Sequence, residues 1–123
     1  LIGIASFEKD YRLCYFINKS LNIDLTNSKN KIQIFINKVT SELGYYSFKN
    51  FNYEYYLIEN TINNSRILPK YKNLDYMLLI KSRSYHHDFQ FIEDNINQSE
   101  VVIGSFKIND EKDIIRIADL IFG

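Results

Sequence analysis

Two groups of charged and phenolic residues have the side chains that form binding sites in proteins. Asp10, Tyr11 and Arg12 follow one another, and Asp75 and Tyr76 form a second pair. A guanidinium and a carboxylate form strong, charge-assisted hydrogen bonds, which are often bidentate. We therefore expect Arg12 to pair with Asp75. This pair has two interpretations: a structural ion pair, or a ligand or partner site made by Arg12, Asp75 and Tyr76.

The side chains best suited to bind metal or act as nucleophiles are one cysteine, Cys14, and two adjacent histidines, His86 and His87. Neighbouring residues of a helix point about 100° apart, and neither histidine has a His, Cys or carboxylate four residues later. We therefore expect a surface histidine pair that holds no metal. Cys14 has no histidine near it in sequence, and we expect a buried, inert thiol. The sequence predicts no catalytic residue and no cofactor.

An aromatic stretch is the third feature that suggests binding. Residues 45–56 contain seven aromatic side chains: Tyr45, Tyr46, Phe48, Phe51, Tyr53, Tyr55 and Tyr56. On an open sheet face such rings stack RNA bases. The glycine-spaced pattern of RNA-recognition sheets is absent, however, so RNA is the less favoured interpretation. The same face, Tyr53 and Tyr55 in particular, would equally form a contact surface for a protein.

Composition limits the class of protein. The 123 residues are 46% hydrophobic, contain 15 basic and 15 acidic side chains, and have zero formal net charge. This length suits one domain, residues 1–123, and the first residue, Leu1, suggests that a short N-terminal segment is missing. No apolar run reaches the roughly 18 residues of a membrane span. A single cysteine favours a reducing cytoplasm, and no glycine-rich phosphate loop or catalytic triad can be assigned from spacing.

Three segments have the periodicity of amphipathic helices. The first is predicted over residues 7–21, with Ser6 as its cap and acidic residues in its first turn. The second begins at a Ser84 cap and ends near Asn97, and the third begins at Asp110. The apolar stripe of the first helix consists of Leu13, Phe16, Ile17, Ser20 and Leu21.

The remaining segments favour strands. Residues 1–6 and 74–81 are apolar at successive positions, which is typical of strands buried on both faces. Residues 46–57 alternate between apolar and polar side chains, which predicts antiparallel strands with one wet face. Residues 31–43 fit a helix face and a strand, and we favour a short strand. Residues 101–108 form another strand, in which Gly104 suggests a bulge or a close helix crossing.

This order predicts an α+β fold, β-α-(β)-β-β-β-α-β-α. The runs of antiparallel strands suggest a single mainly antiparallel sheet with its helices packed on one face, close to a ferredoxin-like sandwich. Such a sheet has edges to which a partner strand can pair.

Two stretches resemble a family named for its signature Ile-Pro-Glu-x-x-x-Val-Asp-Tyr, known from Bacteroidetes and of unknown function. The signature reads Leu68-Pro69-Lys70-Tyr71-Lys72-Asn73-Leu74-Asp75-Tyr76, with its spacing intact. Asp10-Tyr11-Arg12-Leu13-Cys14 is similar to a second family segment, and Tyr56-Leu57-Ile58-Glu59-Asn60 is a weaker match. The sequence departs from the signature at Lys70, where the family has glutamate. The resemblance implies no established activity.

Taken together, these features predict a non-enzymatic protein-interaction module of the cytoplasm. The expected partner is another protein, or a second copy joined through an edge strand or the tyrosine-rich face. An RNA-binding accessory protein is the first alternative, and a small-ligand regulatory domain is the second. Basic residues around the aromatic face would favour RNA, whereas a closed pocket lined by Arg12, Asp75 and Tyr76 would favour a ligand.

Overall fold

The structure of the chain is a computed structural model that describes residues 1–82 and 89–123. In chain order the described elements are β1 (Ile2–Ala5), α1 (Asp10–Leu21), β2 (Thr26–Asn27), β3 (Ile32–Ile36), β4 (Val39–Leu43), β5 (Tyr46–Lys49), β6 (Tyr53–Glu59), β7 (Thr61–Ile62), β8 (Ser65–Arg66), β9 (Tyr76–Ser82), α2 (Phe89–Asn97), β10 (Gly104–Lys107) and α3 (Glu111–Phe122). The predicted Ser84 cap and the histidines His86 and His87 lie outside the described residues.

Six strands form the main sheet, in the order β10-β1-β9-β6-β5-β2, and neighbouring strands are antiparallel. The predicted α+β class with a mainly antiparallel sheet is confirmed. The predicted buried strands at residues 1–6 and 74–81 correspond to β1 and β9, which lie inside the sheet. The described strands outnumber those predicted, and the ferredoxin-like order is not confirmed.

Both faces of the sheet are covered, so the prediction of helices on one face is wrong. Alternate residues of β9 point to opposite sides: Leu78 and Ile80 pack in the core under α1 and α2, whereas Met77 and Leu79 pack in the core under α3. The second core also receives the apolar side of a hairpin formed by β3 and β4. Central strands of such a three-layer arrangement are apolar at successive positions.

The hairpin accounts for the ambiguous segment at residues 31–43. The predicted strand is confirmed there, but the segment forms two strands joined at Asn37 and Lys38. Both turn residues have positive φ angles, 53° and 64°, which is the backbone geometry of the tightest hairpin turns. Ile32 and Ile34 are buried while Phe35 is exposed, so strand alternation determines which side meets the core.

Helix capping was predicted correctly at one helix and incorrectly at another. Asp110 caps α3, and its side chain accepts a hydrogen bond from the Lys112 amide over 3.0 Å. Ser6 does not cap α1, because the helix begins four residues later, at Asp10, with Lys9 as its N-cap. The Ser6 hydroxyl has other partners, which belong to the site described next.

Candidate functional site

Two predicted site residues, Asp75 directly before β9 and Tyr76 at its start, hold the loop that follows β1. Asp75 Oδ2 accepts a hydrogen bond from the Ser6 amide over 3.0 Å, and Oδ1 accepts one from Arg66 Nη2 over 3.3 Å. The side chains of Asp75 and Arg66 are 35% and 27% exposed, so solvent screens the pair only in part. The Asp75 carboxylate therefore joins the end of β1 to the short hairpin of β7 and β8.

Arg12 does not reach Asp75, and the predicted pairing of the two residues is wrong. Its Nε atom instead lies 3.0 Å from Glu8 Oε2, one helical turn away, and its guanidinium lies over the Phe16 ring. Glu8 lies four residues before Arg12, so this pair forms without bringing together distant segments of the chain. Arg66 occupies the position beside Asp75 that was predicted for Arg12. Its guanidinium also donates to Thr61 Oγ1 and to the Lys72 carbonyl.

The Tyr76 hydroxyl donates a hydrogen bond of 2.5 Å to the Glu8 carbonyl, while its ring is buried between β9 and α1. Burial raises the pKa of this phenol well above its ordinary value, and the charges of Glu59 and Asp10 raise it further. The hydroxyl therefore keeps its proton and remains a donor at physiological pH.

The same loop is also held by Val101, which lies in the connection between α2 and β10. The Ser6 hydroxyl donates to the Val101 carbonyl over 2.7 Å and accepts from the Glu8 amide over 3.2 Å. Ser6 is 4% exposed, yet the side chain of the next residue, Phe7, is 95% exposed. The chain thus presents one apolar ring to solvent between Ser6, which is bonded to Asp75 and Val101, and Glu8, whose carbonyl accepts from Tyr76.

A surface depression of about 390 Å³ lies beside Phe7. Its polar wall consists of Glu8, Glu59, Thr61, Arg66 and Asp75. Burial raises the pKa of the Glu59 carboxyl, and the nearby charge of Asp10 adds to the effect. This side of the molecule therefore combines an exposed apolar ring with carboxylates that are partly withdrawn from water.

Asn60 organises the segment at residues 68–76, a role that was not predicted from the sequence. It is 0% exposed. Its Nδ2 group donates to the carbonyls of Leu74 and Tyr71 over 2.9 and 3.3 Å, and its Oδ1 atom accepts from the Leu68 amide over 2.8 Å. The one available signal was its position directly behind the apolar strand 55–58, where a polar side chain must find buried partners.

Two further contacts fix this segment to the rest of the fold. Lys70, at the position of the family glutamate, bonds Asp110 and Asp113 at 2.9 and 3.4 Å, and the hydrogen bond from Lys70 lowers the pKa of Asp110. A glutamate here would face these two aspartates. Leu74 lies against Gly3 so closely that a Cβ atom on the glycine would come within 2.3 Å of Leu74 Cδ1. Residues 68–76 thus have a structural role, because they connect β1 and the start of α3.

The predicted tyrosine-rich face is not open. Tyr55 and Tyr56 are 4% and 5% exposed and point to opposite faces of β6, while Tyr53 is partly buried beside Tyr55. The prediction of one wet face along this strand is wrong, because α3 and the β3–β4 hairpin cover the side that local alternation assigned to water.

Cys14 is buried, as predicted, and its thiol donates to the Leu25 carbonyl over 3.4 Å. Burial raises the pKa of the thiol to about 11, with further contributions from Asp10 and Asp24. A thiol in this state is a poor nucleophile. Among residues 1–82 and 89–123, no group of three or more His, Cys, Asp or Glu residues is placed to hold a metal ion.

The edges of the main sheet give a partner strand little room. At one edge, Asn97 Oδ1 accepts from the Ser105 amide over 3.0 Å, which occupies a backbone donor of the four-residue β10. At the other edge β2 pairs with half of β5. Side chains and short strands that cover edges in this way discourage pairing with another sheet.

No helix in the described part of the chain has the length and apolar character needed to cross a membrane. Comparison of the chain with protein-family models, with curated proteins and with solved structures found no match. The resemblance to the Ile-Pro-Glu-x-x-x-Val-Asp-Tyr family therefore remains a prediction from the residues quoted above.

Proposed function

We propose that this chain is a non-enzymatic protein-interaction module of the cytoplasm whose contact with its partner centres on Phe7. The observation that carries the proposal is the 95% exposure of Phe7 between Ser6 and Glu8, both of which are held by distant parts of the chain. Under this proposal Arg12, Asp75 and Tyr76 act as positioning residues, because each of them contacts Ser6 or Glu8 rather than the partner.

The energetics favour a role for Phe7 outside folding. Burying a phenylalanine side chain contributes about 1.5–3 kcal/mol to folding, and a ring that is almost fully exposed contributes little of this. Aromatic side chains are common among the few residues that carry most of the binding energy at protein interfaces. A side chain held ready in its bound position also loses less entropy when the partner arrives.

Exposure alone does not single out Phe7, because Phe51 is 93% exposed. Phe51 lies in a local turn in which Asn50 Oδ1 accepts from the amides of Asn52 and Tyr53. Ser6, next to Phe7, instead contacts Asp75 and Val101, which lie 69 and 95 positions after it in the sequence. Ile103 is 62% exposed and donates its amide proton to the Ala5 carbonyl, so it adds exposed apolar surface beside the end of β1.

RNA binding has less support from the structure than a protein contact. The interpretation depended on an open face of stacked tyrosines, and Tyr55 and Tyr56 lie inside the two cores. The zero net charge of the chain also provides no overall attraction for phosphates.

The experiment is affinity purification of the tagged chain from the cells that produce it, with and without nuclease, followed by mass spectrometry. The variants are Phe7→Ala and, as a matched control, Phe51→Ala. Phe7 and Phe51 lie near opposite ends of β9. Ile4, three residues before Phe7, pairs with Tyr76 at the start of β9, whereas Tyr53, two residues after Phe51, pairs with Ser82 at the end of β9.

We expect a protein that survives nuclease, is retained by Phe51→Ala and is lost with Phe7→Ala. Both variants should melt within a few degrees of the wild type, since surface substitutions change stability by at most about 0.5 kcal/mol. A protein retained equally by both variants would contradict the proposal, and one released by nuclease would favour the RNA-binding alternative.

A further inference from the structure

The solvent-facing side of α1 carries a row of large side chains separate from Phe7. Tyr11 and Tyr15 are 62% and 61% exposed, and Arg12 and Lys19 are exposed beside them. Residues three and four positions apart in a helix share one face, so these four side chains form a continuous surface. We call this surface the outer face of α1.

Charge is distributed unevenly along the outer face. The N-terminal end carries the Glu8 carboxylate, which is paired with Arg12 at 3.0 Å, whereas Lys19 is the basic residue of the last turn. The two tyrosines and the Arg12 guanidinium lie between these ends. Lys19 lines a groove that also contains Glu100, but the described part of the chain holds no ion pair between them.

We propose that the outer face of α1 binds the outer face of a second copy of this chain, with the two helices antiparallel. Glu8 then faces Lys19 of the partner subunit, and Arg12 faces Tyr15 of the partner subunit, where a guanidinium can lie over the ring. A two-fold axis repeats each contact once, so the same surface serves both copies. This inference goes beyond the proposed contact at Phe7 and does not depend on it.

The pattern of charge is the reason for choosing a second copy as the occupant. A face with a carboxylate near one end and an ammonium group near the other is complementary to itself when one copy is reversed. Antiparallel helices also bring the negative end of one dipole beside the positive end of the other. Zero net charge means that no general repulsion keeps two copies apart.

The size of the face limits the strength of the contact. The helix has 12 residues, and a helix of this length is about 18 Å long. Small interfaces belong to weak and transient complexes. The experiment is therefore sedimentation equilibrium of the whole chain over a wide range of protein concentration and at low ionic strength, where surface charges are least screened.

Charge reversal provides the test. Lys19→Glu alone places two carboxylates opposite each other twice in the dimer, and Glu8→Lys alone does the same with two ammonium groups. We expect each single variant to bind itself at least about tenfold more weakly than the wild type. An equal mixture of the two variants restores opposite charges at both ends, and we expect the mixture to dimerise again.

A matched control separates loss of this register from a general effect of changed net charge. Lys29 is exposed and lies in the connection between β2 and β3, so Lys29→Glu has the same net charge as Lys19→Glu. Because Lys29→Glu keeps both Glu8 and Lys19, we expect it to dimerise as the wild type does, and thermal unfolding should show that each variant is folded.

Four outcomes would overturn the proposal. The wild type could remain monomeric at every concentration, or Lys19→Glu could dimerise as well as the wild type. The complementary mixture could fail to dimerise while its components are folded, or Lys29→Glu could lose the dimer as fully as Lys19→Glu does. Loss of the dimer in Lys19→Glu, its retention in Lys29→Glu and its recovery in the complementary mixture would support the proposal.

Discussion

The phenol oxygen of Tyr76 lies 2.5 Å from the carbonyl oxygen of Glu8, although 68 positions separate the two residues in sequence. Together with the Asp75 carboxylate on the Ser6 amide, this contact makes the start of β9 the support on which the residues flanking Phe7 rest. Under the proposed function, Asp75 and Tyr76 therefore position Phe7 rather than contact the partner themselves.

Removing the Tyr76 hydroxyl tests this support directly. Tyr76→Phe keeps the buried ring and loses one hydrogen bond, so we expect a loss of about 0.5–1.5 kcal/mol in the free energy of unfolding. We also expect faster hydrogen exchange at the Glu8 amide and weaker binding of the partner. Tyr55→Phe is the control for loss of a buried phenol on the neighbouring strand, and exchange at Glu8 should be unchanged in it.

Asp75 distinguishes a structural role from direct binding. Asp75→Asn keeps an acceptor for the Ser6 amide but loses the ion pair with Arg66, whereas Asp75→Ala loses both. We expect denaturant unfolding to show a loss of about 2 kcal/mol for Ala and about half of that for Asn, because the pair is partly exposed. Unchanged stability together with lost partner binding would show instead that Asp75 contacts the partner itself.

The sequence predicted which segments form helices and central strands, because these depend on local periodicity. The approximate limits of α1, the strand at β9 and the Asp110 cap could all be predicted in this way. Prediction failed where a distant segment supplied the partner. Arg66 reaches Asp75 only because the β7–β8 hairpin folds beside β9, and no spacing along the chain records that approach.

The tyrosines show the same limit. Alternation along residues 46–57 predicted one wet face, yet α3 and the β3–β4 hairpin cover it, and Tyr56 packs edge-on against Phe122 with ring centroids 5.0 Å apart. The exposure of Phe7 was also not predicted, because the first amphipathic helix was expected to begin at this residue. Only the structure shows that its side chain points to water.

Asn60 should be among the most sensitive residues outside the apolar core. Asn60→Asp keeps the size of the side chain but replaces the donor to the Tyr71 and Leu74 carbonyls with a carboxylate oxygen. We expect a loss of about 3 kcal/mol or more in denaturant unfolding, larger than that of Asn60→Ala, because a buried charge is left facing acceptors. Asn52→Ala, at an exposed position between β5 and β6, should change stability by at most about 0.5 kcal/mol.

Glu59 gives a prediction for pH. Its folded-state pKa is raised above the ordinary value of 4.5 by burial and by Asp10, so the folded chain holds this proton more tightly than the unfolded chain. The resulting stability is fully present below the unfolded-state pKa and is lost as pH rises through the folded-state pKa. Glu59→Gln should therefore be more stable than the wild type at neutral pH, with the difference shrinking in acid. A difference that grew in acid would show that the pKa is lowered instead.

The most direct test of the account is photo-cross-linking with p-benzoylphenylalanine in place of Phe7, with the same residue in place of Phe51 as the control. We predict that position 7 gives one protein adduct of discrete mass in the producing cells and that Tyr76→Phe reduces its yield. Position 51 should give no such adduct. Equal labelling at the two positions, or no protein adduct at position 7, would contradict the claim that the chain presents Phe7 to a partner.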